Sequence, residues 1–353
     1  GGDILISAKD TSVIGSLVGS VSGSRGASIG AAVAVNTIVN DIFAYTKESD
    51  LGAGRDIRLT ADNLTVIGNL VISGAVGKYV AIGGAVAVNT VVNRTEAYIS
   101  GTTTPMPEIS AGNNIAINAS DRSVIVAVAG GLSIGVTESG GGSGSIGVSV
   151  AVTNTHNTTK AYISGSSVTS NGTIDLDATS SSLIVSVAVA GSLGVVTGGG
   201  GVVGAGAGAV SVNIIDNTIE SYISGNSQIT AQTGAVLLNA TDNSDIIAIG
   251  GALSLGFAIG GGGGGGLTIG ASVAVNRIDN TLQSYISGST ITAGDAVALD
   301  AASASDIISV TSAGAIGGAG GSSVGLMFSG AGSGSDNRVE NTVKSYISDF
   351  VDE

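Results

Sequence analysis

Apolar and polar residues alternate along the chain with a period of two, which is the pattern of a β-strand with one buried face. The clearest segment recurs six times, with Ile, Val or Leu alternating with mostly polar residues before a closing Ala. Each copy is predicted to form a short strand. The copies are Asp3–Ala8, Asp56–Ala61, Asn114–Ala119, Thr173–Ala178, Ala235–Ala240 and Ala296–Ala301.

A longer apolar run follows each of these segments, as in Ser182–Gly191, and is predicted to form a buried strand. The chain then passes through a glycine tract of variable length, such as Gly260–Gly266, and returns through an element containing Ala-Val-Ala-Val-Asn. The tract is predicted to be a turn, because a phosphate-binding loop needs a helix start and usually a Lys-Ser/Thr behind its glycines. A second short strand, such as Ser289–Ala293, completes about four strand-like stretches per repeat, with no helical pattern.

The repeat is most complete in Gly270–Gly288, whose Asn, Tyr and Ile-Ser return along the whole chain. The recurring tyrosines are spaced by 53, 64, 60, 63 and 61 residues; they are Tyr45, Tyr98, Tyr162, Tyr222, Tyr285 and Tyr346. A regular period indicates one repeat domain over 1–353, because each repeat borrows its core from its neighbours. The first copy opens in mid-repeat, so the chain is expected to be a piece of a longer array.

These features predict an all-β fold, a parallel β-solenoid of about six repeats of roughly 60 residues. Two coil arrangements remain open. One wide coil per repeat would place the tyrosines about 4.8 Å apart, whereas three narrow coils would place them about 14 Å apart. The usual strand length of roughly 3 to 10 residues favours three coils.

Two asparagine columns and one tyrosine column follow from the stacking. The asparagines are expected either to form amide ladders or to occupy turn corners, and both roles are structural. The first Asn column is Asn36, Asn89, Asn213, Asn276 and Asn337, which Thr153 interrupts; the second Asn column is Asn40, Asn93, Asn157, Asn217, Asn280 and Asn341. The tyrosines form the Tyr column, for which offset stacking is favoured over a carbohydrate-binding strip.

The composition of the chain argues against two classes of function, nucleic-acid binding and membrane spanning. The chain has 59 Gly, no Cys, 26 acidic and 12 basic residues, and a net charge of -14. This charge repels nucleic acids and anionic membranes, so no nucleic-acid partner is expected. The apolar stretches are interrupted by Gly, Ser and Ala and are shorter than the roughly 20 residues of a membrane helix. The chain is therefore not expected to be an integral membrane protein.

Candidate chemistry is sparse. The single histidine, His156, occupies a position that holds Val39, Val92, Asp216, Asp279 or Glu340 in the other repeats, as expected of a permissive surface site. Asp216, Asp279 and Glu340 would form an acidic column, a weak candidate for calcium between coils. The favoured interpretation is a solvated face that Arg277 and Arg338 partly neutralise.

No catalytic residue and no cofactor are predicted. The charges recur with the repeat instead of clustering once, whereas an active site is usually a single irregularity. The chain is therefore expected not to be an enzyme.

The recurring Ala-Val-Ala-Val-Asn with Tyr-Ile-Ser-Gly, followed by Ile-Thr-Ala, resembles the repeat region of large bacterial leukotoxin-type filamentous adhesins and related type V or two-partner secreted exoproteins. The resemblance covers essentially the whole chain. It implies export, an extracellular or cell-surface location and a β-solenoid stalk.

The leading hypothesis is a structural and adhesive rod module of a bacterial filamentous protein. Its expected partners are further copies of itself, through end-to-end or lateral assembly, and a host or neighbouring-cell surface. Two alternatives stay open: a self-assembling matrix or sheath fibre, and a pore-forming or cytolytic exoprotein region suggested by the long apolar runs with glycine tips.

Overall fold

The computed structural model describes residues 1–138 and 140–349, and these residues form a parallel β-solenoid of six rungs. Each rung runs through a first sheet, turns back through a second sheet and, in five rungs, crosses a short third sheet. The first sheet contains β1 (Ile4–Ser24), β4 (Ile57–Gly77), β7 (Ile115–Glu138), β10 (Ile174–Thr197), β14 (Val236–Ile259) and β18 (Val297–Gly320).

The second sheet faces the first. It contains β2 (Ala27–Lys47), β5 (Val80–Ser100) and β8 (Gly142–Ser164), and then three rungs in which the strand is split into two: β11 (Val202–Ile215) with β12 (Thr218–Ser224), β15 (Gly265–Ile278) with β16 (Thr281–Ser287), and β19 (Leu326–Val339) with β20 (Thr342–Ser348). The third sheet contains β3 (Leu51–Ala53), β6 (Glu108–Ala111), β9 (Ser167–Ser170), β13 (Gln228–Ala231) and β17 (Thr290–Ala293).

The rungs stack in parallel and in register. Ile4 pairs with Ile57, Ile57 with Ile115, and Ile115 with Ile174, so equivalent positions of successive repeats form columns. No helix occurs in the described part of the chain, and hence none long and apolar enough to cross a membrane.

The repeat makes one wide coil, and the preference for three narrow coils is wrong. The short alternating segment and the longer apolar run join into a single strand of 21 to 24 residues in the first sheet. The join is possible because the inward and outward positions keep the same parity through both segments. Each repeat therefore adds one inter-strand spacing, about 4.8 Å, to the stack.

Large aliphatic side chains fill the half of the coil that the third sheet closes. Ile57, Leu59, Ile115 and Ile163 are fully buried there, and their cluster includes Val168 of the third sheet. Burying each of these side chains contributes about 1.5–3 kcal/mol to folding.

Small residues fill the other half, where the first and second sheets face each other directly. Its buried cluster is almost entirely alanine. Inward glycines allow the backbones to approach: a Cβ on Gly83 would lie 2.2 Å from the carbonyl oxygen of Leu132, and a Cβ on Gly131 would lie 2.1 Å from that of Val148. We call this half of the coil the narrow half.

The glycine tracts are the turns at the tip of the narrow half. Gly198 and Gly199 have φ angles of 73° and 61°, a region that glycine adopts without steric cost. Backbone hydrogen bonds such as Gly198 N–H to the Ile259 carbonyl continue the stacking through these turns.

Candidate functional site

The Tyr column forms a continuous stack on the outer surface of the second sheet. The five distances between the centroids of its six successive rings are 4.9, 4.7, 4.7, 4.9 and 5.2 Å, with interplanar angles of 3° to 8°. Burial raises the pKa of Tyr162, Tyr222 and Tyr285 above the usual value. These hydroxyls therefore stay protonated near neutral pH.

Ion pairs lie beside the tyrosines on the same face. Glu96 is only 3% exposed and accepts a 2.6 Å hydrogen bond from Arg94, whose guanidinium lies 5.0 Å from the ring centroid of Phe43. Lys160 of the next rung pairs with Glu220 of the rung after it at 2.6 Å. The charges are thus paired along the column and do not leave one cationic or anionic cluster.

The first Asn column lies inside the solenoid, in mid-strand, and forms amide ladders. Asn36 Nδ2 donates to Asn89 Oδ1 at 2.9 Å, and Asn213 donates to Asn276 at 2.8 Å. Asn276 in turn donates to Asn337 at 2.7 Å. Thr153 lies between the two ladders, and its hydroxyl has no hydrogen-bond partner.

The second Asn column ties rungs and sheets together. Asn157 N–H donates to Asn217 Oδ1 at 3.1 Å, and Asn217 N–H donates to Asn280 Oδ1 at 2.9 Å. The Nδ2 groups point across to the first sheet, where that of Asn157 bonds Ser123 at 3.0 Å and that of Asn217 bonds Ser182 at 3.1 Å. In the last three rungs these asparagines occupy the two-residue breaks in the second sheet.

Neither column uses the left-handed turn conformation. Among described non-glycine residues only Glu48 and Asn226 have positive φ, and neither belongs to a column. The first column is therefore a ladder of side-chain amides that bond one another. The second column is a ladder in which backbone N–H groups donate to side-chain oxygens.

His156 and the acidic column lie together on the outer face, and each acid has a basic neighbour. His156 Nδ1 lies 3.3 Å from Asp216 Oδ2, with both side chains about half exposed. Arg277 pairs with Asp279, and it lies 3.8 Å from Glu340, which also pairs with Arg338. Within residues 1–138 and 140–349 no group of three His, Asp or Glu has the arrangement of a metal site.

The sequence interpretation missed a feature of the long apolar runs, which it took for buried strands. In the narrow half the large side chains point outward and the small ones inward. Leu132 and Leu253 of the first sheet are 51% and 49% exposed, as are Ile146 and Ile269 of the second sheet at 48% and 49%. The signal was present in runs such as Ser182–Gly191, where Val alternates with Ser and Ala.

The narrow half thus consists of two closely packed sheets, and the outer surface of each sheet is apolar. Two shallow cavities lie on these surfaces, one of about 420 Å³ beside Leu132 and one of about 290 Å³ beside Ile146.

Comparisons of the chain with protein-family models, with curated proteins and with solved structures found no match.

Proposed function

We propose that this chain is a structural and adhesive module of a bacterial cell-surface or secreted filamentous protein, in which stacked repeats form a stiff scaffold outside the cell. The unbroken register of the six rungs carries the proposal. Each repeat adds one rung in the same orientation, as the near-parallel tyrosines show over the whole stack.

The distribution of charge supports a scaffold over a single reaction site. Ion pairs recur from rung to rung, and hydrogen bonds of the two Asn columns link neighbouring rungs. In repeat proteins each unit contacts only its neighbours, and repetition produces extended surfaces suited to many weak contacts.

Duplicating residues 115–296 tests the scaffold. This segment spans three rungs, and Ala296 occupies the same place in the rung as Asn114, so the copy continues the register. We expect electron micrographs to show a particle about 14 Å longer along the stack with unchanged width. A particle that grows equally in all directions would contradict the proposal.

The adhesive part needs a separate assay. Beads coated with the chain are expected to be retained on bacterial or epithelial cell layers more than beads coated with an unrelated β-protein of similar charge. Equal retention of both kinds of bead would leave only the scaffold role.

A further inference from the structure

The outer side of the first sheet in the narrow half forms one continuous apolar face. It consists of the five outward columns that begin at Gly15, Leu17, Gly19, Val21 and Gly23 and extend through all six rungs. None of its positions is charged, and only Ser312 is polar. We call it the apolar face.

The apolar face is large enough for a stable protein interface. Five columns at about 6.6 Å and six rungs at about 4.8 Å cover about 950 Å². The largest apolar patches of soluble monomers are typically about 300–600 Å², and a specific interface uses about 800 Å² per partner.

The two central columns form a checkerboard of large residues and glycines. In each of the first five rungs one column holds an aliphatic residue and the other a glycine, and the assignment alternates from rung to rung. One column is Gly19, Ile72, Gly130, Val189, Gly251 and Ser312; the other is Val21, Gly74, Leu132, Gly191, Leu253 and Gly314.

Several of these glycines are not required by the fold of the chain itself. A Cβ on Gly19 or Gly130 would meet nothing within 4 Å, and on Gly74 or Gly251 its nearest atom would lie at 3.8 Å. None of the four has a positive φ. Glycine inside a strand is destabilising relative to alanine and often marks a place where another molecule approaches closely.

A two-fold axis makes the checkerboard complementary to itself. We propose that a second copy of this chain docks on the apolar face, about a two-fold axis that runs parallel to the stack between the two central columns. Each residue of one central column then faces its same-rung neighbour from the other column. Gly130 lies opposite the second copy's Leu132, and Ile72 lies opposite the second copy's Gly74.

This arrangement also keeps the charged groups of the other half of the coil in water. The axis reverses the strand direction between copies, so the halves that carry Lys9, Arg58 and Asp62 extend to opposite sides of the pair. The stacks remain parallel and in register because the axis runs along them, and the interface is isologous because both copies contribute the same face. The proposed pairing depends on the observed fold and not on the proposed function. If the chain did not pair, the proposed scaffold role would be unaffected.

A lipid bilayer is the other occupant that an apolar surface could take. The observations favour a second copy, because a bilayer requires no alternation of large residues with glycines. The net charge of -14 also repels anionic membranes.

Sedimentation velocity of the purified chain at micromolar concentration tests the pairing. The chain is expected to form a dimer, and Gly130→Leu is expected to weaken it by about tenfold or more, because two leucines then meet at a site built for one. The matched control is Gly208→Leu on the outer side of the second sheet, where a Cβ also meets nothing within 4 Å. It should leave the dimer unchanged.

The double variant Gly130→Leu/Leu132→Gly exchanges large residue and glycine and should restore the dimer. Gly251→Leu and Gly251→Leu/Leu253→Gly repeat the test two rungs away if the first pair fails to fold, as judged by circular dichroism. A monomeric wild-type chain, equal effects of Gly130→Leu and Gly208→Leu, or no rescue would overturn the proposal. So would a chain that stays monomeric and floats with phosphatidylcholine vesicles.

Discussion

At the residue scale, the gap in the first Asn column leaves three polar groups without partners. Asn89 Nδ2, Thr153 Oγ1 and Asn213 Oδ1 are buried and have no hydrogen bond. Thr153 pairs in register with both Asn89 and Asn213. The unpartnered Asn89 group is a donor and the unpartnered Asn213 group is an acceptor, so an amide at position 153 could bond both. Thr153→Asn is therefore expected to join the two ladders and to raise the free energy of unfolding by about 1–3 kcal/mol.

Chemical denaturation of wild type and variant measures this change. The matched control is Thr155→Asn, two residues along the same strand, which would place an amide between Val91 and Ile215. We expect this control to be destabilised. If both variants lose stability alike, the column has no room for another amide.

A second prediction concerns a carboxyl group inside the stack. Burial raises the pKa of Asp121 from 3.8 to about 6, although hydrogen bonds from Asn63 at 2.6 Å and Ser123 at 3.2 Å oppose the shift. The folded state then holds the proton more tightly than the unfolded state. The resulting stabilisation is complete below about pH 4 and is lost as the pH rises through about 6.

Asp121→Asn should remove this dependence. At pH 7 the variant is expected to be more stable than wild type by about 3 kcal/mol, and at pH 4 the two should be similar. Denaturation at several pH values measures the difference, with the exposed Asp295→Asn as control. A wild-type advantage at pH 7 would show that the ionised carboxylate is a net favourable group.

At the element scale, glycines decide how closely the two large sheets approach. Neighbouring Gly83 and Gly84 differ only in direction: a Cβ on Gly83 would lie 2.2 Å from the Leu132 carbonyl oxygen, whereas a Cβ on Gly84 would meet nothing within 4 Å. Gly83→Ala is expected to lower the free energy of unfolding by about 3 kcal/mol, because the facing strand must shift. Gly84→Ala should raise it by about 0.5 kcal/mol.

Thermal and denaturant unfolding of these two variants compare the same chemical change on opposite faces of one strand. Gly131→Ala and Gly130→Ala repeat the comparison on the first sheet. Equal effects within each pair would show that the narrow half can widen without cost.

The strands, their parallel stacking and the members of each column could be predicted from the sequence. The period placed Tyr162 next to Tyr222, and the structure places their rings 4.7 Å apart. The coil number could not be predicted, because Thr179–Ser182 resembles a polar turn. In the structure it continues β10, since inward hydroxyls are accommodated inside the coil, as where Ser182 bonds Asn217.

The direction of the apolar side chains was also beyond the sequence pattern. Alternation with a period of two separates two faces of a strand without saying which one is inside. Large residues usually face the core, as Ile57 and Leu59 do in the wider half. In the narrow half the close approach of the backbones leaves space mainly for Ala, Ser and Gly, so Leu132 and Leu253 point outward.

At the scale of the whole molecule, the strands are longer than the stack is high. A strand of 24 residues spans about 80 Å, whereas six rungs span about 24 Å from first to last. A rod along the stack therefore requires many repeats, and the height depends only on their number. Because neighbouring rungs pair in register, a whole rung is a removable unit.

Deleting residues 174–235 removes one rung without changing the register. Thr173 and Ala235 have the same place in successive rungs, since their carbonyls accept from Ile115 N–H and Ile174 N–H at 2.9 and 3.0 Å. The deletion joins Thr173 to Val236, and Tyr162 would then stack on Tyr285. We expect a folded five-rung chain that is shorter by about 4.8 Å, with the strand-rich circular dichroism spectrum retained.

Deleting 174–201 instead removes only the first-sheet strand of that rung and its turn, and it serves as the control. This variant leaves a second-sheet strand without its facing partner, so cooperative unfolding should be lost or the midpoint strongly lowered. Small-angle scattering and thermal unfolding distinguish the two deletions. If the in-register deletion were as damaging as the control, the rungs would not be independent units, and growth of the solenoid by whole repeats would have no structural basis.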